Sequence, residues 1–388
     1  MGKAHIFILV LMLMLFSFTL LVGPASASVD YWSEKAPMNV ARSGLGIAAV
    51  NGEIYAIGGD TSTGYTQVNL TKVNEEYDPA TNTWTYKSPM PIPSYLFVPA
   101  VYHDKIYCIA GELNQVYDAT TDTWETELGT PNNAGSIAET VNGIIYVWGG
   151  GPEGENSYSY NPATNVWTTI SSWPTMNEWV SAVANNKIYF FAFNKTEVYD
   201  PSIDSWSIGA PEPALPGETQ PCQDAWAAAA TTGVLAPERI FVLGSNSVFG
   251  GSPCFNRIYD PQSDSWTNGS DIPTDRIDFG AAVVNDQVYV VGGCTLDVFG
   301  YINKQFPTNE QYTPAGYSGP GLTTPTPTPA TQTPVPATQT PNKSPNSQPM
   351  LTVSPIEIVT AVMVAAVITA SVLIERRRRN KSNRLLAK

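Results

Sequence analysis

The chain has 388 residues, of which 43% are hydrophobic and 14% charged, and its formal net charge is −14 at pH 7. This length allows more than one region, and the hydrophobic share is sufficient for a packed core. The acidic balance excludes nucleic acid as a partner of the main part of the chain, because like charges repel.

Residues 1–27 have the features of a secretory signal peptide. A charged start at Lys3 precedes an apolar run from Ile6 to Val22, and the small-residue pattern Ala25-Ser26-Ala27 follows. We predict cleavage near Ala27. The alternative interpretation is an N-terminal anchor that stays uncut.

Internal repetition dominates residues 28–314. Five Tyr/Trp pairs have the same separation of seven residues: Tyr77/Trp84, Tyr117/Trp124, Tyr160/Trp167, Tyr199/Trp206 and Tyr259/Trp266. The residues between the members of each pair are rich in Asp, Asn, Pro, Thr and Ser, which favour tight turns. Each unit therefore predicts a strand, a turn and a second strand.

A second hairpin is predicted upstream of each pair. Its marker is Ile-Tyr or a similar dipeptide, followed by small residues that are best developed as Gly58-Gly59, Gly149-Gly150 and Gly292-Gly293. Alternating apolar strands, with glycines where backbones approach closely, indicate a four-stranded unit.

The glycine pair, the tyrosine and the tryptophan seven residues later resemble the Kelch motif. The resemblance covers residues 29–314 and recurs six times, although Ala192-Phe193 and Gly244-Ser245 replace the glycine pair in the fourth and fifth units. It implies an all-β fold, a six-bladed Kelch-type β-propeller. The sixth unit lacks its tryptophan, so we expect Val29 to Trp32 to supply its outer strand and close the ring.

The loops of such a propeller are where binding is expected. With the strands of a blade lettered a to d from the axis outward, the b–c loops of blades five, six and one are the longest and would form one raised rim. Its aromatic residues suit protein or sugar contacts, unless they pack under their own loops. They are Tyr65, Phe249, Phe255, Phe299, Tyr301 and Phe306.

A second candidate site is the mouth of the central channel, on the same face as the b–c loops. Charged and aromatic residues near the starts of the innermost strands would converge there into a polar pocket, or would be solvated residues of the surface. They are Arg42, Tyr95, Glu178, Trp179, Asp224, Trp226, Arg276 and Asp278.

Cysteines and sequons fit an exported chain. Cys108 is expected to be a buried thiol, and Cys222 and Cys254 fall in two loops of one blade, where a disulfide is plausible. The predicted glycosylation sites are Asn69, Asn194, Asn268 and Asn342.

The C-terminal part predicts a membrane anchor. Residues 315–352 are rich in Pro and Thr and should form a disordered, extended stalk. Residues 353–374 are apolar enough for one transmembrane helix, and the basic tail 375–388 should be cytoplasmic. The segment between the two hydrophobic ends, residues 28–352, holds 12 Lys and Arg and 32 Asp and Glu, a net charge near −20.

These features predict a monomeric recognition or adhesion head at the cell surface, which binds an extracellular protein or glycan and no nucleic acid. We expect no metal or cofactor, because a copper site resembling that of galactose oxidase needs histidines, and the chain has two, His5 and His103. Two alternatives remain. One is an exported enzyme resembling sialic-acid mutarotases, with Glu178, Arg42 and Arg276 as the residues to suspect, and the other is a structural component of the cell envelope.

Overall fold

The computed structural model describes residues 29–320, apart from residues 65–67, 98, 132–136, 150–156, 173, 175–179, 193–194, 214–223, 246–253 and 298. Within these ranges the regular elements are 26 β-strands. No helix in this part of the chain is long and apolar enough to cross a membrane. The predicted signal peptide, transmembrane helix, tail and all of the stalk beyond Pro320 lie outside the described residues.

The strands form six antiparallel four-stranded sheets and one two-stranded ribbon. After β1 (Tyr31–Lys35), the strands of blades one to three are β2 (Gly46–Val50), β3 (Glu53–Ile57), β4 (Asn74–Asp78), β5 (Thr83–Lys87), β6 (Pro99–Tyr102), β7 (Lys105–Ala110), β8 (Leu113–Asp118), β9 (Thr123–Leu128), β10 (Ile137–Val141), β11 (Ile144–Trp148), β12 (Ser157–Asn161) and β13 (Val166–Thr169). Those of blades four and five are β14 (Val180–Ala184), β15 (Lys187–Ala192), β16 (Lys195–Asp200), β17 (Ser205–Gly209), β18 (Asp224–Ala230), β19 (Ile240–Ser245), β20 (Cys254–Asp260) and β21 (Ser265–Asn268). The remaining strands are β22 (Gly280–Val284), β23 (Gln287–Val291), β24 (Cys294–Leu296), β25 (Ile302–Gln305) and β26 (Asn309–Thr313).

Blade six confirms the predicted closure of the ring. Its strand order is β22, β23, β26 and then β1, so the first strand of the domain completes the last blade. Trp32 lies opposite Tyr312 in this pairing, as Trp84 lies opposite Tyr77 in blade one. The N-terminal strand therefore supplies the tryptophan that the sixth unit lacks, and the closure removes two sheet edges.

One hydrogen-bonded arrangement, here called the clasp, recurs in all six blades. The tyrosine of the third strand donates its hydroxyl, over 2.6–2.9 Å, to an Asn or Asp two residues before the tryptophan. The tryptophan indole donates, over 2.7–3.5 Å, to a carbonyl of the chain leaving the preceding blade. In order from blade one, the residues are Tyr77, Asn82 and Trp84; Tyr117, Asp122 and Trp124; Tyr160, Asn165 and Trp167; Tyr199, Asp204 and Trp206; Tyr259, Asp264 and Trp266; and Tyr312, Asp30 and Trp32.

The clasp joins neighbouring blades as well as the strands of one blade. Asp122 also accepts the backbone N–H of Ser88, which follows the outer strand of blade one, over 2.8 Å. Burial raises the pKa of Asp122, but the hydrogen bonds from Ser88 and Tyr117 outweigh it and hold that pKa below its ordinary value. Burial likewise raises the pKa of Tyr160 to about 12, so the hydroxyl stays a donor at neutral pH.

The glycine pair of blade one follows the second strand, where the chain meets the loops that enter blades one and two. Gly58 and Gly59 have φ values of 62° and 99°, which favour glycine. A Cβ on Gly59 would lie 2.7 Å from the carbonyl oxygen of Ser43. The pair is therefore required by close backbone contact, as the sequence predicts.

Candidate functional site

The predicted rim is partly described, at blades six and one. In blade six the b–c loop contains the extra ribbon β24–β25. The ribbon contacts the b–c loop of blade one, because the N–H of Gly64 donates to the carbonyl of Ile302 over 2.6 Å and the amide of Gln305 donates to the carbonyl of Ser62 over 3.0 Å. The loops of these two blades thus form one continuous surface.

The aromatic residues of the rim separate into two groups. Phe299 and Tyr301, at the tip of the ribbon, expose 63% and 43% of their surface. The expectation was wrong for Phe255 and Phe306, which are buried. Phe255 belongs to strand β20 and packs in the core between blades four and five, and Phe306 is held below the loop by backbone bonds to Gly293 and Arg42. Tyr65 and Phe249 lie outside the described residues.

The structure departs further from the prediction at the channel mouth. Arg42 and Arg276 are 0% and 1% exposed, so neither can line a pocket for a ligand. The Arg42 guanidinium donates to Glu75 over 2.5 Å and to the carbonyl of Ala56 over 2.8 Å. These contacts fix the loop that enters blade one to the second and third strands of that blade.

Arg276 repeats this arrangement in blade six. Its guanidinium donates to Glu310 over 2.6 Å and to the carbonyl of Val290 over 3.1 Å. Burial lowers the pKa of both guanidinium groups, and the partner carboxylate opposes that shift, so each pair is a buried ion pair. These two arginines stabilise loops rather than bind at the surface.

The mouth itself is built from backbone. The N–H of Leu96 donates to the carbonyl of Gly44 over 2.7 Å, and the N–H of Gly44 donates to the carbonyl of Asp278 over 2.8 Å. All three residues have positive φ, between 51° and 58°. This chain of hydrogen bonds connects blades two, one and six, and it presents Tyr95 and Leu96 to solvent.

The other predicted mouth residues do not form an open pocket with these. Asp278 is partly buried, and Trp226 is partly buried against the core between blades five and six. Asp224 begins strand β18, of which only the backbone is described at that residue. Glu178 and Trp179 lie outside the described residues.

Inside the ring is a central channel that the sequence reasoning missed as a site. The six innermost strands enclose a cavity of about 420 Å³, whose walls are chiefly Ala, Val, Ile and Pro. Glu139 and Ser181 give it one polar wall. The Ser181 hydroxyl donates to the Glu139 carboxylate over 2.6 Å.

Glu139 interrupts a repeated alanine. The residue that faces the Tyr or Phe of the second strand is alanine in the five other blades: Ala48, Ala100, Ala182, Ala229 and Ala282. In blade three that position, opposite Tyr146, is Glu139. Desolvation by the surrounding protein raises the pKa of Glu139 to about 7, and the hydrogen bond from Ser181 partly opposes this by lowering the pKa. An alignment of the repeats in the sequence would have revealed this position.

The cysteines and sequons are described in part. Cys108 is buried, as predicted, and Cys254 is a buried free thiol that donates to the carbonyl of Arg276 over 3.2 Å. The structure therefore has no disulfide at Cys254, whose predicted partner Cys222 lies outside the described residues. The predicted glycosylation sites Asn69 and Asn268 are exposed, and Asn194 and Asn342 lie outside the described residues. The described ranges contain no group of three His, Cys, Asp or Glu that could hold a metal ion.

Comparisons with known proteins agree with this architecture. The model of the Kelch motif matches residues 41–91, which contain blade one. The chain is 29% identical to Kelch-like protein 25 of Xenopus tropicalis over 207 residues, 46% of this chain and 34% of that protein. It is also 29% identical to a putative F-box/kelch-repeat protein of Arabidopsis thaliana over 185 residues, 43% of this chain and 53% of that protein.

A solved structure is similar in fold. The structure of YjhT matches 67% of this chain and 92% of its own length with a TM-score of 0.50, at 14% sequence identity. The match of this chain spans about a third to a half of the curated relatives named above. The repeated glycine, tyrosine and tryptophan positions, the six closed blades and the motif match together show that this chain belongs to the Kelch-repeat family.

Proposed function

We propose that this protein is a cell-surface recognition or adhesion protein whose propeller binds an extracellular protein or glycan. Kelch propellers typically bind other proteins. The location outside the cell is supported by the sequence of the two ends, which predicts a signal peptide at residues 1–27 and a membrane anchor at residues 353–374. The acidic charge of the intervening segment suits a neutral or basic partner.

A group of exposed apolar side chains on one face carries the proposal. Val68, Phe299 and Tyr301 belong to the b–c loops of blades one and six, and Tyr95 and Leu96 belong to the loop that enters blade two. In antiparallel blades these loops emerge at the same end of the strands, so the five residues occupy one sector of one face. We call this sector the apolar rim. Aliphatic residues beside aromatic ones favour a protein partner over a glycan.

Leu96 gives this surface a feature that stability alone does not explain. Its φ of 51° lies in the left-handed region, and its side chain is 60% exposed. Holding a bulky residue in that conformation costs about 1–2 kcal/mol, and an exposed leucine recovers little of that by burial. Glycine would fit the backbone better, so the retained leucine points to a contact with a partner.

Two alternative functions are weaker. An enzyme resembling sialic-acid mutarotases would need Arg42 and Arg276 at the channel mouth, and both are buried in ion pairs. A purely structural component of the cell envelope would have no need of an exposed, strained leucine beside two exposed aromatic rings. Recognition therefore remains the function that the geometry supports best.

Crosslinking on intact cells tests the proposal. The full-length protein is treated with a membrane-impermeant amine-reactive reagent, and the co-purified partner is quantified for wild type, for the rim variant Leu96→Gly/Phe299→Ser/Tyr301→Ser, and for the control Tyr86→Ser/Ile208→Ser. The control residues are also exposed, by 59% and 85%, but lie on the outer strands β5 and β17. We expect an external partner whose yield falls at least tenfold, an order-of-magnitude expectation for losing central apolar contacts, in the rim variant alone.

Three results would contradict parts of this account. Crosslinking by a membrane-permeant reagent alone would place the propeller inside the cell. Equal yields from the rim variant and the control would remove the apolar rim as the binding surface. A glycan-array signal that is lost in the rim variant, without a protein partner, would replace the protein ligand with a sugar.

A further inference from the structure

The central channel carries a second, independent inference. Its walls come from the inner strands of all six blades, and most of the residues that line it are small and apolar. Glu139 is the one titratable side chain among the described residues lining the cavity. The carboxylate loses solvation there, and no basic residue among those that the structure describes pairs with it. That loss is unfavourable unless a ligand supplies the charge.

The polar wall consists of Glu139 of blade three and Ser181 of blade four, which face each other. Ser181 is the hydrogen-bond donor that the described residues give to Glu139. Glu139 and Ser181 therefore offer one carboxylate and one hydroxyl oxygen, which are acceptors for a ligand that carries several N–H donors.

We propose that the channel binds a small organic ammonium ion, a protonated amine on a short alkyl body, with its charged group on Glu139 and Ser181. The ammonium group supplies the missing positive charge and donates to oxygen acceptors, in a site where charge-assisted hydrogen bonds are strong. The alkyl body contacts the alanine and valine residues of the walls. Binding is favoured because this contact removes apolar surface from water. A bare metal ion fits less well, because a single carboxylate leaves most of its coordination positions unfilled.

The alanine ring supports this assignment. Five blades keep alanine at the equivalent position, so the fold has no need of a carboxylate there. Alanine at residue 139 would leave the strand pairing of blade three unchanged, because alanine makes the same backbone ladder elsewhere. The glutamate therefore departs from the repeat at a cost in solvation free energy, and a cationic ligand would offset that cost.

Ligand-observed NMR with n-butylammonium tests the proposal on the full-length protein at pH 8. Wild type is compared with Glu139→Gln, which keeps the shape and removes the charge, with Glu139→Ala, which restores the residue of the other blades, and with the control Glu125→Gln. Glu125 is a half-exposed carboxylate on the outer strand β9. n-Butanol, which has the same butyl chain and no charge, serves as the neutral control ligand.

We expect saturable binding of n-butylammonium to wild type and to Glu125→Gln. Both Glu139 variants should bind it at least tenfold more weakly, and n-butanol should bind wild type at least tenfold more weakly than the cation does, as order-of-magnitude effects of one desolvated charge pair. Absence of saturable binding to wild type, equal binding by Glu139→Gln, or equal binding of n-butanol would each overturn the proposal. The rim variant should keep this binding, so the channel and the apolar rim fail or succeed separately.

Discussion

The outer strands of the blades repeat the same residues more strictly than the inner strands do. In the outer half the same clasp of tyrosine, Asn or Asp, and tryptophan occurs six times, even in blade six, where Asp30 and Trp32 come from the other end of the domain. In the inner half the channel position is alanine five times and Glu139 once. Identical chemistry in every blade marks what the ring needs in order to close.

Glu139, the one departure from alanine on the inner strands, has the opposite meaning. A carboxylate that loses solvation without a basic partner among the described residues destabilises the folded state, and the alanines at the equivalent positions of the other blades show that the fold does not require it. Residues that repeat therefore hold the structure together, whereas those that break the repeat at a cost mark candidate sites. Leu96, with its positive φ, is the second such departure, since Gly44 occupies the corresponding place in blade one.

The largest expected effect comes from breaking the clasp where it closes the ring. Deletion of residues 29–34 removes most of β1, including Trp32, and exposes the edge of β26. Loss of the tryptophan packing alone costs about 3–5 kcal/mol, and the lost strand pairing adds to it, so the melting temperature should fall by about 10 °C or more. Differential scanning calorimetry measures the shift.

A matched control keeps the clasp and changes the exposed side of the same strand. The variant Val29→Ser/Tyr31→Ser/Glu34→Ser alters the three exposed residues of this segment and retains Asp30 and Trp32. Its melting temperature should stay within about 2 °C of wild type. An unchanged melting temperature after the deletion would contradict closure by the N-terminal strand.

A smaller effect is expected at a feature that two blades share. Arg276→Met leaves Glu310 buried without its partner and should lower the free energy of unfolding by about 3–5 kcal/mol. The double variant Arg276→Met/Glu310→Met should recover most of this loss, because an apolar pair needs no charge compensation. Urea titration measures both values.

The exposed ion pair of Lys105 and Glu125 is the control for this prediction. Lys105→Met should change the free energy of unfolding by less than about 1 kcal/mol, since water screens that pair. If Arg276→Met were equally mild, Arg276 would be a surface residue available to a ligand, as the sequence first indicated.

Sequence reasoning was strongest where one local rule repeats. The seven-residue spacing of Tyr and Trp predicts paired strands directly, and the unpaired Trp32 led to the closure that the structure confirms. These features depend on neighbours in the chain or on counting the units. The blade number, the closure and the glycine pairs were therefore accessible from residues alone.

The errors concern contacts between distant residues. Arg42 lies shortly before strand β2, and this position suggested the channel mouth. Its ion-pair partner Glu75 is 33 residues away in the sequence and keeps the Arg42 side chain buried. Phe255 was assigned to a loop because the loop was measured from glycine to tyrosine, whereas strand β20 already begins at Cys254. Glu139 was missed because its meaning appears only when all six inner strands are placed in register.

The pH dependence of stability at Glu139 tests the central claim most directly. The pKa of Glu139 is raised to about 7 in the folded state, so that state binds more protons than the unfolded chain between about pH 4.5 and pH 7, and its stability falls as pH rises through this window. Urea titrations of wild type and Glu139→Gln should therefore agree at about pH 4, where the wild-type carboxyl is protonated in both the folded and the unfolded state. At pH 8 the variant should be more stable by about 2 kcal/mol, less than the full linkage value because the channel retains some solvation. A difference that is the same at both pH values, or greater stability of wild type at pH 8, would show that the carboxylate costs the fold nothing and would contradict the account.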